Sequence, residues 1–151
     1  MSEKWDKRYI NLVKEVATWS KDPSSKIGSI VVSSGGSVLA QGYNGFPRGI
    51  EDREDRLNDR SVKYDYMVHA EMNSIYNATY NGVCLVDSTI YIYGLPVCHE
   101  CAKAIIQVGI SRVVSIRTKE LSPKWKDSCT IALDLFKEAG VEVVEKFTTK
   151  D

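Results

Sequence analysis

The sequence predicts an α/β protein, a three-layer α/β/α sandwich built on one five-stranded mixed sheet. Three observations predict it. Short apolar, β-branched runs alternate with longer segments whose apolar residues recur at helical spacing. The first two runs are joined by a turn alone, whereas each later run follows a helical segment. At 151 residues the chain fits one domain that buries about two-thirds of its unfolded surface, so residues 1–151 are expected to fold as a single unit.

In chain order, Trp5, Tyr9, Leu12, Val13, Val16, Ala17 and Trp19 mark a helix over 5–20 with one buried face. Lys21-Asp22-Pro23-Ser24-Ser25-Lys26 breaks it at proline and places two hydroxyls and two ammonium groups in a short loop. Strands are expected over 27–32 and 38–41, an antiparallel hairpin closed by Ser33-Ser34-Gly35-Gly36-Ser37. Gly42-Tyr43-Asn44-Gly45-Phe46-Pro47-Arg48-Gly49 then reads as an irregular loop whose glycines allow close approach to a ligand, with Asn44 offering both a donor and an acceptor. Residues 50–66 are densely charged, a solvated insertion of about 17 residues, which is long for a structureless connection and marks a flap or an oligomer contact. A second helix follows over 69–80, a strand over 89–93, and a third helix from Cys98 to a glycine stop at Gly109. A strand over 112–116, a polar loop over 118–127 carrying Pro123 and Trp125, a helix over 128–139 and a strand over 141–144 complete the order. The last three strands each follow a helix and are expected to be parallel.

Composition narrows the class of function. Twenty Lys and Arg balance 20 Asp and Glu, and the pI is about 6.7, so nothing draws the whole surface to a polyanion. No run of 18 apolar residues occurs and the N-terminal segment Met1–Asp6 is charged, which predicts neither export nor a membrane span. Cys84 and Cys129 read as buried reduced thiols, which fits a cytoplasmic protein.

The chemistry concentrates in His69-Ala70-Glu71-Met72-Asn73 and Cys98-His99-Glu100-Cys101-Ala102-Lys103. A C-x-x-C alone fits a redox pair, and His-x-Glu alone fits an ordinary helix surface. Together they offer two thiolates and one imidazole, three ligands that leave the fourth tetrahedral position of a zinc ion open, as in catalytic sites. Glu71 is the expected proton carrier, since zinc acidifies water and a neighbouring carboxylate can take and redeliver the proton. Both motifs open helices, whose positive N-terminal dipole ends favour thiolates.

These motifs, with Ser20–Lys26 and Gly42–Pro47, resemble those of the deoxycytidylate deaminases of the cytidine deaminase superfamily, over most of the chain. The resemblance implies zinc on His69, Cys98 and Cys101, proton transfer by Glu71, and conversion of dCMP and water to dUMP and ammonia, towards thymidine nucleotides. It implies nucleotide contacts from Ser24, Ser25, Lys26, Asn44, Ala70, Val97 and Trp125. Proline usually precedes the first cysteine of this family; here Val97 does and Pro96 stands one earlier, so the Val97 carbonyl is expected to hold the departing amine. Trp125 stands where the family carries a tyrosine near the phosphates. The resemblance further implies activation by dCTP and inhibition by dTTP, each with Mg2+, at a second site formed by Asn44, Gly45, Phe46, Pro47 and Arg48, in a homo-oligomer, a hexamer. Alternatives are a deaminase that also takes dCTP, a nucleic-acid cytosine or adenosine deaminase, and a non-catalytic nucleotide-sensing zinc protein.

Overall fold

Alternation along the strands decides the layering, because successive side chains of a strand point to opposite faces. The computed structural model describes residues 2–148, so Met1 and residues 149–151 of the expected domain lie outside the described residues. Strands β1 (Gly28–Val32), β2 (Val38–Tyr43), β3 (Thr89–Gly94), β4 (Arg112–Arg117) and β5 (Glu142–Phe147) form one five-stranded sheet in the order β2-β1-β3-β4-β5. β1 runs antiparallel to both β2 and β3, and β3, β4 and β5 are parallel, giving the expected mixed sheet.

Ile30, Val32, Tyr91, Tyr93, Val114 and Ile116 face α1 (Glu3–Ala17), where Tyr9, Val13, Val16 and Ala17 meet them. Val31, Ile90, Ile92 and Val113 face the other way. There they pack against α4 (Ala70–Tyr80), α5 (His99–Gln107) and α6 (Pro123–Ala139). Ile30, Ile90 and Ile92 are fully buried, and each such side chain contributes about 1.5–3 kcal/mol relative to leaving it in water. Cys129 is buried as expected, but Cys84 is exposed, because it lies in the connection between α4 and β3 and not on a packed face. β2 sits close on α4: a Cβ at Gly42 would fall 2.4 Å from the Ser74 nitrogen and 2.7 Å from the Ala70 carbonyl oxygen. Gly42 therefore belongs to the sheet and brings it against the helix that carries Glu71; it does not open a loop.

Two predicted loops are folded. The 50–66 insertion contains α2 (Glu54–Leu57) and α3 (Arg60–Tyr66). Asp59 caps α3 by accepting from the Ser61 and Val62 amides, which supplies partners for two of the N–H groups that a helix start leaves free. The helix expected from Ser128 begins at Pro123, capped by Ser122, whose hydroxyl accepts from the Trp125 amide. A serine N-cap followed by proline at the first helical position is a readable start signal.

Away from these loops, α1 is tied to the sheet by a buried charge. Asp6 accepts from both terminal guanidinium nitrogens of Arg112 at 2.8 and 2.7 Å and from the Tyr91 hydroxyl at 2.6 Å. The Arg112 hydrogen bonds hold the Asp6 carboxyl below its usual range against the opposing effect of burial. A folded-state pKa below the unfolded one stabilises the protein above the unfolded pKa, and that contribution disappears as pH falls through the folded value. Asp6→Ala is expected to cost about 3 kcal/mol at neutral pH, and the gap in Tm between wild type and variant should narrow below about pH 4. Thermal denaturation of both proteins from pH 7 to pH 3 checks this.

Candidate active site

Two helix starts meet at the same point. His69 is the N-cap of α4, so Ala70 and Glu71 are its first two residues; Cys98 is the N-cap of α5, with Cys101 in the first turn. The Cys98 sulfur accepts from the Cys101 amide at 3.4 Å, a cap that also fixes the separation of the two sulfurs. The His69 Nδ1 lies 3.6 Å from the Cys98 sulfur and 3.4 Å from the Cys101 sulfur.

Those distances fit a zinc ion. Zn–S of about 2.3 Å and Zn–N of about 2.0–2.1 Å at a tetrahedral angle separate nitrogen from sulfur by about 3.5 Å. The three donor atoms lie within 4.8 Å of one another, and no other group of three such residues comes together among the described residues. Electrostatics point the same way. Hydrogen bonding from Cys101 and then His69 pulls the Cys98 thiol well below its usual range, while the hydrogen bond to Cys98, followed by burial, pushes Cys101 up. The two sulfurs thus resist being thiolates together, and a divalent cation is what allows it. His69 is raised, chiefly by its hydrogen bond to Cys98.

Glu71 is 4% exposed. Burial pushes its carboxyl up to about 7, with the His69 charge pulling in the other direction. A carboxyl with such a pKa both accepts and returns protons at neutral pH.

His69, Ala70 and Glu71 form the floor of a cavity of about 620 Å³. Trp125 makes one wall, its ring centroid 6.2 Å from that of His69 and its indole N–H donated to the Pro96 carbonyl at 3.3 Å. Ser24, Ser25 and Asn44 also line the cavity. Lys26 does not: its ammonium donates to the Ser20 carbonyl at 2.5 Å, on the far side of the loop. Asn44 is placed there but largely engaged. Its amide donates to the Ser25 carbonyl at 2.8 Å and to Asp22 at 3.4 Å, and accepts from the Ile27 amide at 2.9 Å. Val97 packs in the apolar core, and Pro96 takes the lining position.

Sequence reasoning missed three cations that line the same cavity: Arg60 and Lys63 from α3, and Lys119 after β4. Nothing in the charge run over 51–65 distinguishes Lys63. The structure does, since Lys63 is 7% exposed and paired with the buried Asp22 at 3.1 Å. Gly45, Phe46, Pro47 and Arg48 line a second cavity of about 560 Å³, on the other side of the segment that presents Asn44 to the first. Gly45 and Val68 exchange backbone hydrogen bonds at 3.2 and 2.8 Å, so this segment is joined to the residue preceding His69.

Known proteins resemble this chain in sequence and fold. Residues 3–117 match the family described as the cytidine and deoxycytidylate deaminase zinc-binding region. The chain is 38% identical to the deoxycytidylate deaminase of Mus musculus, over 97% of this chain and 81% of that one. It is 36% identical to an uncharacterized deaminase in the luxG 3' region of Aliivibrio fischeri, over 95% and 94% of the two chains. The solved dCMP deaminase of cyanophage S-TIM5, in complex with dCMP and dUMP, has a TM-score of 0.76 at 25% identity over 96% of this chain and 98% of that one. Both motifs that build the His69, Cys98 and Cys101 cluster fall inside the matched span, and this chain belongs to the cytidine and deoxycytidylate deaminase family.

Proposed function

We propose that the chain, as one domain over residues 1–151, catalyses hydrolytic deamination of dCMP to dUMP and ammonia. One observation carries the reading. A single cavity has at its floor His69 of the three-ligand cluster and the buried carboxyl of Glu71, and serines with lysine and arginine side chains along its wall. The floor suits a base that must be attacked by water; the wall suits a phosphate. The names of the mouse relative and the cyanophage structure support the same substrate.

His69, Cys98 and Cys101 would hold zinc, which when bound supplies the Lewis acidity that makes water a nucleophile near neutral pH. Glu71 takes a proton from the attacking water and delivers it to N3 of the cytosine as oxygen adds to C4. Glu71 then takes the proton of the hydroxyl now on C4 and passes it to the amine, the C4–N bond breaks as the C4 carbonyl forms, and ammonia leaves. Ala70 is the first residue of α4, where the backbone N–H has no partner within the helix, and that N–H is suited to the O2 of the base. The Val97 carbonyl is assigned to the departing amine, and the Trp125 ring closes the wall beside His69.

We extend the reading to regulation and assembly: activation by dCTP and inhibition by dTTP, each accompanied by Mg2+, in a cytoplasmic homo-oligomer, a hexamer. The cavity beside Gly45–Arg48 and the Gly45–Val68 link to the His69 segment support an effector site there. The exposed rings of Tyr76 and Tyr80 on α4 support an intersubunit face beside it.

Incubation with dCMP, dCTP, deoxycytidine and a cytosine-containing oligonucleotide, followed by loss of cytosine absorbance, tests the substrate. The expected kcat/KM for dCMP exceeds that for deoxycytidine by about 10²-fold or more. Equal rates on the two, or faster turnover of the oligonucleotide, would overturn the assignment.

A further inference from the structure

Lys63 and Lys119 approach the Ser24-Ser25 pair from different elements, α3 and the segment after β4, and each donates to one serine hydroxyl oxygen. Lys63 Nζ lies 3.2 Å from Ser24 Oγ, and Lys119 Nζ lies 2.5 Å from Ser25 Oγ. An ammonium group has three donors and no acceptor, whereas a hydroxyl can do either. In both contacts the serine oxygen must therefore be the acceptor, and the serine's own hydrogen is directed elsewhere.

The rest of the loop is already engaged. The Ser24 and Ser25 amides donate to one oxygen of Asp22, at 2.7 and 3.1 Å. The Ser24 carbonyl accepts from Lys119 at 3.3 Å and the Ser25 carbonyl from Asn44 at 2.8 Å. What this dipeptide still has to offer the cavity is its two hydroxyl hydrogens.

We propose that Lys63 and Lys119 are specificity-determining positioning residues that make Ser24 and Ser25 obligate hydrogen-bond donors, matched to the acceptor-only oxygens of a nucleotide phosphate. The inference rests on the dCMP reading and deepens it. It also gives the 50–66 insertion a task, since α3 supplies the buried lysine that the loop closes upon. Phosphate esters carry no donor in the dianionic form, so a wall that only donates accepts them and leaves a free 5′-hydroxyl, itself half donor, less well matched.

The test compares dCMP with deoxycytidine as substrates of wild type, Lys63→Met, Lys119→Met, Ser25→Ala and the Lys119→Met/Ser25→Ala double variant. Each lysine substitution is expected to raise the KM for dCMP by about tenfold or more, with kcat and the deoxycytidine kcat/KM changed less than about threefold, and Lys119→Arg should restore much of the loss. If Lys119 acts through Ser25, the double variant is no worse than Ser25→Ala alone. Additive losses would show a lysine acting by charge alone and would overturn the proposal, as would equal losses on both substrates. Lys63→Met leaves Asp22 buried without its cation and risks the fold; Lys119 is exposed, so its cycle decides the question in that case. A wild-type protein with no preference for dCMP over deoxycytidine would instead overturn the phosphate reading itself.

Discussion

Glu71→Gln is expected to lower dCMP turnover by about 10²–10⁴-fold while the protein still binds about one zinc per chain, by the ligand count of a catalytic site. Glutamine keeps the shape of the side chain and loses its ability to carry a proton. Glu71 is not among the three converging ligands, so the metal should stay. Nor should the fold suffer. The carboxyl is 4% exposed and burial pushes it up to about 7, so a neutral amide removes a group whose charged form is disfavoured there. Kinetics alongside metal analysis and thermal denaturation check all three parts. A variant that keeps a tenth of wild-type turnover would remove Glu71 from the proton-transfer role.

Cys98→Ser and Cys101→Ser are expected to lose zinc and activity together, because an alcohol is a poor substitute for a soft thiolate on this metal. Cys98→Ser separates metal loss from helix loss. Cys98 caps α5 by accepting from the Cys101 amide, and serine is among the best N-cap residues. The variant should therefore retain its helical circular dichroism while its zinc content falls towards zero. In Cys101→Ser the change sits inside the first turn, in a side chain only 1% exposed, and some loss of stability should accompany the loss of metal. Retention of a full equivalent of zinc in either variant would show that the ligand set is different.

How much could be read from the chain alone depended on the distance between partners. His69 with Glu71, and Cys98 with Cys101, are separated by two and three positions, and each pair opens a helix. Local geometry carries such pairs wherever the helix goes, so the residue types reveal the chemistry. The start of α6 is equally local, a Ser122 cap followed by Pro123, although the polar residues around it resemble a loop. Gly42 shows the opposite case. In sequence its lack of a side chain suggests freedom for a ligand to approach, but the neighbour that needs the space is the backbone of α4.

The elements, the mixed sheet and the metal-binding cluster follow from residue spacing, since helix periodicity, strand alternation and caps are properties of neighbouring residues. Which lysine meets the Ser24-Ser25 loop was decided only in three dimensions. Lys26 adjoins Ser25 in the chain and binds the Ser20 carbonyl; Lys63 is 41 positions from Asp22 and is buried against it. A charge takes its role from the partner it meets in a dry place, and packing α3 over the 22–25 loop is what brings Lys63 to that partner. The same packing makes the wall of the cavity, so a charge run that reads as solvent-exposed in sequence contributes one residue to the interior and leaves the rest outside.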